Sequence, residues 1–73
     1  MKDKRLVELG YNIRIERMKH NITQEELAEK ANLSIRTVSD IERGITDIRY
    51  TNLVQIAKAF GIPIYEMLRN FNF

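Results

Sequence analysis

The side chains best suited to chemistry lie on the outward face of one short predicted helix. Between Ser34 and Gly44, the sequence SIRTVSDIERG carries short polar side chains and arginines where a surface helix usually carries a Glu/Lys mixture. Hydroxyl and guanidinium groups hydrogen-bond to the edges of base pairs, and the planar guanidinium matches guanine O6 and N7. We therefore predict that this helix fits the major groove of DNA.

Two apolar residues orient the helix. Val38 and Ile41 are expected to face inward, so positions about half a turn away face outward. Arg36 is the best candidate for direct base reading, although an arginine taken alone is more often simply a solvated surface residue. Asp40 would be repelled by phosphates unless it accepts from cytosine N4 or orients a neighbouring arginine, and it could also be an ordinary surface carboxylate. The base-reading candidates are Ile35, Arg36, Thr37, Ser39 and Asp40.

Two short helices joined by a tight turn must position this face. Thr23 begins a capping box, with Glu26 three residues later, and the helix that follows should end near Ala31. Asn32 tolerates the left-handed backbone that a sharp turn requires. Ser34 is a good N-cap for the next helix, which should run to about Arg43 and stop at Gly44.

Three further helices are predicted around this pair, which makes the chain all-α. The first, roughly 4–19, has one apolar stripe ending in Arg17 and a second stripe of Tyr11, Ile15 and Met18. Residues 45–50 should form a loop. A fourth helix begins near Thr51 and ends at Gly61. A fifth has Pro63 in its first turn and runs through Leu68. The inward residues of the fourth helix should be Leu53, Ile56, Ala57 and Phe60.

Composition excludes several classes of function. The chain has 73 residues, no cysteine and a single histidine, so neither a disulfide nor a structural zinc site is expected. We find no nucleophile–base pair, metal cluster or glycine-rich phosphate loop, which argues against an enzyme and against a cofactor or small-molecule ligand. There is no apolar run that would cross a membrane or direct secretion, so a cytoplasmic protein is expected. Residues 1–73 should form one domain, with a basic arm at 1–5, a core at 6–68 and an apolar tail at 69–73.

Five residues at characteristic spacing make the chain resemble a known family. Gln24, Ala28, Asn32, Val38 and Ile41 have the spacing of a helix-turn-helix unit. With the motifs TQEELA at 23–28, SDIERG at 39–44 and IAKAF at 56–60, the chain resembles the lambda-repressor/Cro-like (XRE-type) helix-turn-helix family over about residues 9–68. The resemblance implies a compact five-helix domain that binds a specific double-stranded DNA operator, often as a homodimer.

The resemblance also implies roles for individual residues. Gln24 would bond a phosphate, and Arg17 and Glu42 would form a buried ion pair between the first and third helices. The basic arm of Lys2, Lys4 and Arg5 would add salt-sensitive attraction or be frayed. The full set of phosphate-contact candidates is Gln24, Ser34, Arg43, Thr46, Arg14 and Arg49.

An apolar excess near the end of the chain suggests dimerisation. Helix five can bury only one face against its own core, so a two-fold dimer is expected there. Alternatively, Phe71 folds back onto its own domain. The candidates for the dimer interface are Ile64, Tyr65, Met67, Leu68 and Phe71.

The function predicted from these features is that of a repressor or controller, which acts by occlusion or by contact with RNA polymerase. The alternative is an antitoxin-type protein-binding module of the same fold.

Overall fold

The predicted all-α fold is confirmed. A computed structural model describes residues 3–69, and within that range the chain forms five α-helices and no strand. None of these helices has the length and apolar character needed to cross a bilayer. The helices are α1 (Lys4–Lys19), α2 (Gln24–Ala31), α3 (Ile35–Arg43), α4 (Tyr50–Phe60) and α5 (Ile64–Met67).

Local side-chain chemistry determines where the first two helices begin. The Asp3 carboxylate accepts the Arg5 backbone N–H at 2.8 Å and so caps α1. At α2 the predicted capping box is confirmed. The Thr23 hydroxyl accepts the Glu26 N–H at 3.1 Å, and the Glu26 carboxylate accepts the Thr23 N–H at 2.8 Å. These bonds satisfy N–H groups that a helix start otherwise leaves unpaired.

Left-handed residues end α2 and α3 at the predicted positions. Asn32 has φ 57° and ψ 45°, and Gly44 has φ 70° and ψ 24°. After Asn32 the chain turns directly into α3, because the Leu33 N–H bonds back to the Ala28 carbonyl at 2.8 Å. The turn is therefore short enough to hold α2 and α3 as one unit.

The core draws apolar residues from all five helices, but α1 contributes only one of its two predicted stripes. Leu9 and Ile13 are buried, whereas Tyr11 and Met18 are 60% and 55% exposed and Ile15 is half-buried. Helix α1 packs against α3 and α5, which cover a single face of it. The buried apolar residues are Leu9, Ile13, Leu27, Ala28, Ala31, Val38, Ile41, Leu53, Ile56, Ala57, Phe60 and Met67.

Two glycines allow α1 to touch the end of α3 backbone to backbone. A Cβ atom on Gly10 would collide with the Ile41 carbonyl oxygen and would lie 2.8 Å from that of Glu42. A Cβ atom on Gly44 would lie 2.6 Å from the Cα atom of Val7. No side chain larger than hydrogen fits at either place without movement of a backbone. The crossing therefore holds α3 at a set position on the core.

The last two helices differ slightly from the prediction. Helix α4 begins at Tyr50, one residue before the expected Thr51, and α5 ends at Met67 where Leu68 was expected. Pro63 lies immediately before α5 as its N-cap, outside the first turn. Its ψ of 154° is extended, and its fixed φ of −72° suits either position.

Candidate nucleic-acid interface

Helix α3 has one buried and one exposed face. Val38 is fully buried and Ile41 is 3% exposed, as the predicted orientation requires. On the other side, Ile35 is 49% exposed and the Arg36 side chain is 89% exposed. An apolar side chain and a long cation are therefore presented to solvent together at the start of the helix. Such a pair can offer both an apolar contact and hydrogen-bond donors to a groove.

Two hydroxyl groups form the N-terminal end of α3. The Ser34 Oγ accepts the Thr37 N–H at 3.0 Å and lies 2.8 Å from the Thr37 Oγ1. Ser34 is exposed and Thr37 is half-buried. Both hydroxyls therefore stabilise the helix start, which is also the positive end of the helix dipole and favours a nearby anion.

Three charged residues form a cluster on the exposed face, which we call the outer cluster: Arg36, Asp40 and Arg43. The Arg43 Nη2 donates to the Asp40 Oδ1 at 2.7 Å, and the Arg36 Nε lies 3.8 Å from the Asp40 Oδ2. Each carboxylate oxygen thus faces a different arginine. Ser39, which precedes Asp40 in the sequence, is half-buried.

A buried carboxylate lies on the inner side of the same helix. The Glu42 side chain is 2% exposed and accepts from Arg17 twice, at 2.7 Å from Nε and 3.2 Å from Nη2. Arg17 also donates through Nη1 to the Ile22 carbonyl at 2.9 Å. The ion pair that the resemblance implied is therefore present and joins α1, the α1–α2 loop and α3.

Gln24 also bonds to Glu42, which sequence reasoning missed. Its Nε2 donates to the Glu42 Oε1 at 3.0 Å, and its side chain is half-buried. The residues are 18 positions apart, so no local pattern indicates the bond. One amide N–H of Gln24 is used inside the protein, and the second N–H of the same nitrogen remains for another acceptor.

The remaining phosphate-contact candidates lie on separate elements. Arg14 is exposed on α1, Thr46 is half-buried in the α3–α4 loop, and Arg49 is exposed at the N-cap of α4. Arg49 makes no side-chain capping bond, so its guanidinium does not stabilise the start of α4. Within residues 3–69, no ion pair or side-chain hydrogen bond joins these three residues to α3.

The basic arm is less available than the sequence suggested. Arg5 donates through Nε and Nη2 to the Asp3 carboxylate at 3.0 Å and 2.6 Å. These side-chain bonds, with the Arg5 backbone N–H, lower the pKa of Asp3 to about 2. Its carboxylate therefore stays charged and offsets the positive charge of Arg5. Lys2 lies outside the described residues.

Helix α5 offers fewer interface residues than expected. Met67 is 2% exposed and belongs to the core of its own chain, which corrects its assignment to a dimer interface. Ile64 and Leu68 are half-buried against the core, and Tyr65 is 72% exposed. Phe71 lies outside the described residues.

Comparison with known sequences identifies a family. The chain matches the model of a helix-turn-helix family (HTH_3) over residues 13–67. A hypothetical transcription factor of Neisseria meningitidis is 37% identical over 60 residues, which is 82% of this chain and 57% of that protein. The control protein C.BamHI of Bacillus amyloliquefaciens is 38% identical over 50 residues, which is 68% of this chain and 62% of that protein. The chain thus spans less than two thirds of the length of either relative.

A solved structure extends the likeness to the whole fold. The restriction–modification controller protein C.AhdI of Aeromonas hydrophila matches with a TM-score of 0.84 and 31% identity, covering 85% of this chain and 94% of that chain. The family match covers most of this chain and includes all of the α2–turn–α3 unit. The chain therefore belongs to the XRE-type helix-turn-helix family of DNA-binding transcription regulators.

Proposed function

We propose that the chain is a repressor or controller that binds an operator in double-stranded DNA with α3 in the major groove. The observation that carries this proposal is the division of α3 into a buried apolar face and an exposed face that carries Ile35 and two arginines, Arg36 and Arg43. Arg36 would read guanine, and Ile35 would contact a thymine methyl. The protein bound to its operator would regulate transcription either by occluding the DNA or by contacting RNA polymerase.

Contacts to phosphates would hold α3 in register. Gln24 at the start of α2 has an amide N–H directed by Glu42 and a second one to donate, and the α2 N-terminus itself favours an anion. Arg43 has guanidinium donors beyond the one bonded to Asp40. The other candidates for this role are Ser34, Thr46, Arg14 and Arg49.

Action as a two-fold dimer would allow the protein to read an operator with two half-sites. The longest principal extent of the domain is 29 Å, whereas half-sites on one face of DNA are about 34–36 Å apart from centre to centre, so two copies would be needed to read both. Helix α5 is held on α1 because the Asn12 amide donates to the Met67 and Arg69 carbonyls at 2.9 Å and 3.0 Å. That anchor would give a dimer surface around Tyr65 a defined orientation.

Selection from a random duplex library, followed by footprinting around the protein's own gene, tests the proposal. Wild type should enrich one sequence. Arg36→Ala should lose about 1–3 kcal/mol of discrimination at one base pair, whereas Gln24→Ala should weaken all sequences alike. Arg69→Ala, distant from α3 in sequence, is the matched arginine control. If wild type prefers no duplex, the proposal is wrong and a protein-binding module becomes the better interpretation.

Sedimentation of wild type, of Tyr65→Ser and of a chain truncated after Asn70 tests the dimer. We expect wild type to sediment as a dimer and at least one variant to dissociate. Monomeric masses for wild type at the concentrations that bind DNA would refute the two-fold dimer without affecting the placement of α3.

A further inference from the structure

Asp40 occupies an unusual place for a carboxylate. It lies on the exposed side of α3, between Arg36 four residues before it and Arg43 three residues after it. Its side chain is only 23% exposed, while those of Arg36 and Arg43 are 89% and 59% exposed. The carboxylate is therefore much less accessible than the two guanidinium groups beside it.

The stability of the fold does not require a carboxylate at position 40. Ion pairs between exposed side chains contribute little to stability, and α3 already has a serine N-cap, a glycine C-cap and a buried apolar face. The inner carboxylate, Glu42, provides the connection to α1. A negative charge among phosphates also lowers affinity for DNA of every sequence. A role for Asp40 must therefore involve the way in which Arg36 and Arg43 bind DNA.

Asp40 is hydrogen-bonded to Arg43 and lies close to Arg36 without a hydrogen bond. The bond from the Arg43 Nη2 to the Asp40 Oδ1, 2.7 Å long, uses one of five guanidinium donors and limits the rotation of that side chain. The Arg36 Nε lies 3.8 Å from Oδ2, too far for a hydrogen bond but close enough for attraction. Because this attraction acts at Nε, it leaves both terminal nitrogens of Arg36 for an acceptor pair such as guanine O6 and N7. An oriented guanidinium loses less conformational freedom when it binds.

We propose that Asp40 is a specificity-determining positioning residue. It orients Arg43 by a hydrogen bond and Arg36 by attraction, and it weakens binding to DNA that offers these arginines no matching acceptors. The inference rests on the proposed placement of α3 in the major groove. It gives Asp40 opposite effects on two measurable quantities, since it lowers affinity for random DNA and raises the preference for the operator.

The test uses the full chain, the duplex enriched by wild type and a scrambled duplex of the same length. Binding is measured for wild type, Asp40→Asn, Arg43→Lys and Glu29→Gln at several salt concentrations. Glu29 is exposed on α2, so Glu29→Gln removes one negative charge away from the outer cluster and serves as the matched control. Thermal melts check that each variant is folded.

Asp40→Asn should bind scrambled DNA at least as tightly as Glu29→Gln does. Its ratio of affinities for selected over scrambled duplex should fall by about 5- to 100-fold. Arg43→Lys keeps the charge but loses the planar group, and it should lose part of the same ratio. In a chain that already carries Arg36→Ala and Arg43→Ala, Asp40→Asn should change the ratio little, because the residues that it orients are gone.

Three outcomes would overturn the proposal. An unchanged ratio in Asp40→Asn, with binding shifted only as in Glu29→Gln, would make Asp40 an ordinary surface charge. If Asp40→Asn lowered the affinity ratio just as much in the chain that carries Arg36→Ala and Arg43→Ala, Asp40 would itself read a base, such as cytosine through N4. If wild type enriched no duplex, the proposed function would be wrong as well, and that result is distinct from the first two.

Discussion

Removal of Arg17 should destabilise the fold more than removal of any exposed arginine. In Arg17→Ala the Glu42 carboxylate, 2% exposed, would lose two of its three hydrogen bonds and keep only that from Gln24. The Ile22 carbonyl would lose the donor at 2.9 Å as well. A buried charge left without its partner is costly because neither water nor a counter-charge compensates for it.

The expected loss is about 3–5 kcal/mol in the free energy of unfolding. A domain of 73 residues is expected to have a total stability of roughly 4–11 kcal/mol, so this loss is a large fraction of it. At about 4–8 °C per kcal/mol, the midpoint of thermal unfolding should fall by roughly 10–40 °C.

Circular dichroism melts and urea titrations of wild type, Arg17→Ala and Arg69→Ala measure the effect. Arg69 is the control because its side chain is 51% exposed and its contacts to Glu16 and Glu66 are 3.9 Å and 3.6 Å long. Its loss should cost less than about 1 kcal/mol. If both variants melt within a few degrees of wild type, the reasoning about the buried pair is refuted.

Two other perturbations test features of the fold. Gly10→Ala should destabilise the chain by about 1–3 kcal/mol in a urea titration, because the new methyl group would collide with the Ile41 carbonyl, although alanine is the better helix former; a more stable variant would contradict the close crossing. Asp3→Asn keeps a capping side chain but removes the charge beside Arg5. Since the folded pKa of Asp3 is lowered from 3.8 to about 2, its contribution is fully present above pH 4 and is lost as the pH falls through 2. The difference between the melting temperatures of wild type and Asp3→Asn should therefore shrink over that range, and a constant difference would exclude the charge as its cause.

Features encoded by neighbouring residues were predictable from the sequence. The Thr23 capping box depends on a residue three positions away, and the left-handed turns at Asn32 and Gly44 depend on the residue itself. The periodicity of Val38 and Ile41 predicted the buried face of α3. In each case the stabilising interaction lies within one or two helical turns.

Features that depend on distant packing were not predictable in the same way. Tyr11 and Met18 have helical spacing, but whether a stripe is buried depends on which helices reach it, and α3 and α5 cover the other side of α1. Gln24 was expected to bond a DNA phosphate, and the bond that its amide makes to Glu42, 18 residues away, was not foreseen. Met67 belongs to an apolar segment that could have been shared with a partner, and only the packing shows that its own core contains it.

The contact between α1 and the end of α3 has a consequence for redesign. Gly10 and Gly44 lie where the two backbones meet, and the exposed positions of α3 lie on the opposite side of that helix. Positions 35, 36 and 43 can therefore be randomised together while the packing of α3 against α1 stays constant. A substitution at Gly10 or Gly44 would instead force α3 to move relative to α1, and all exposed side chains of α3 would shift together.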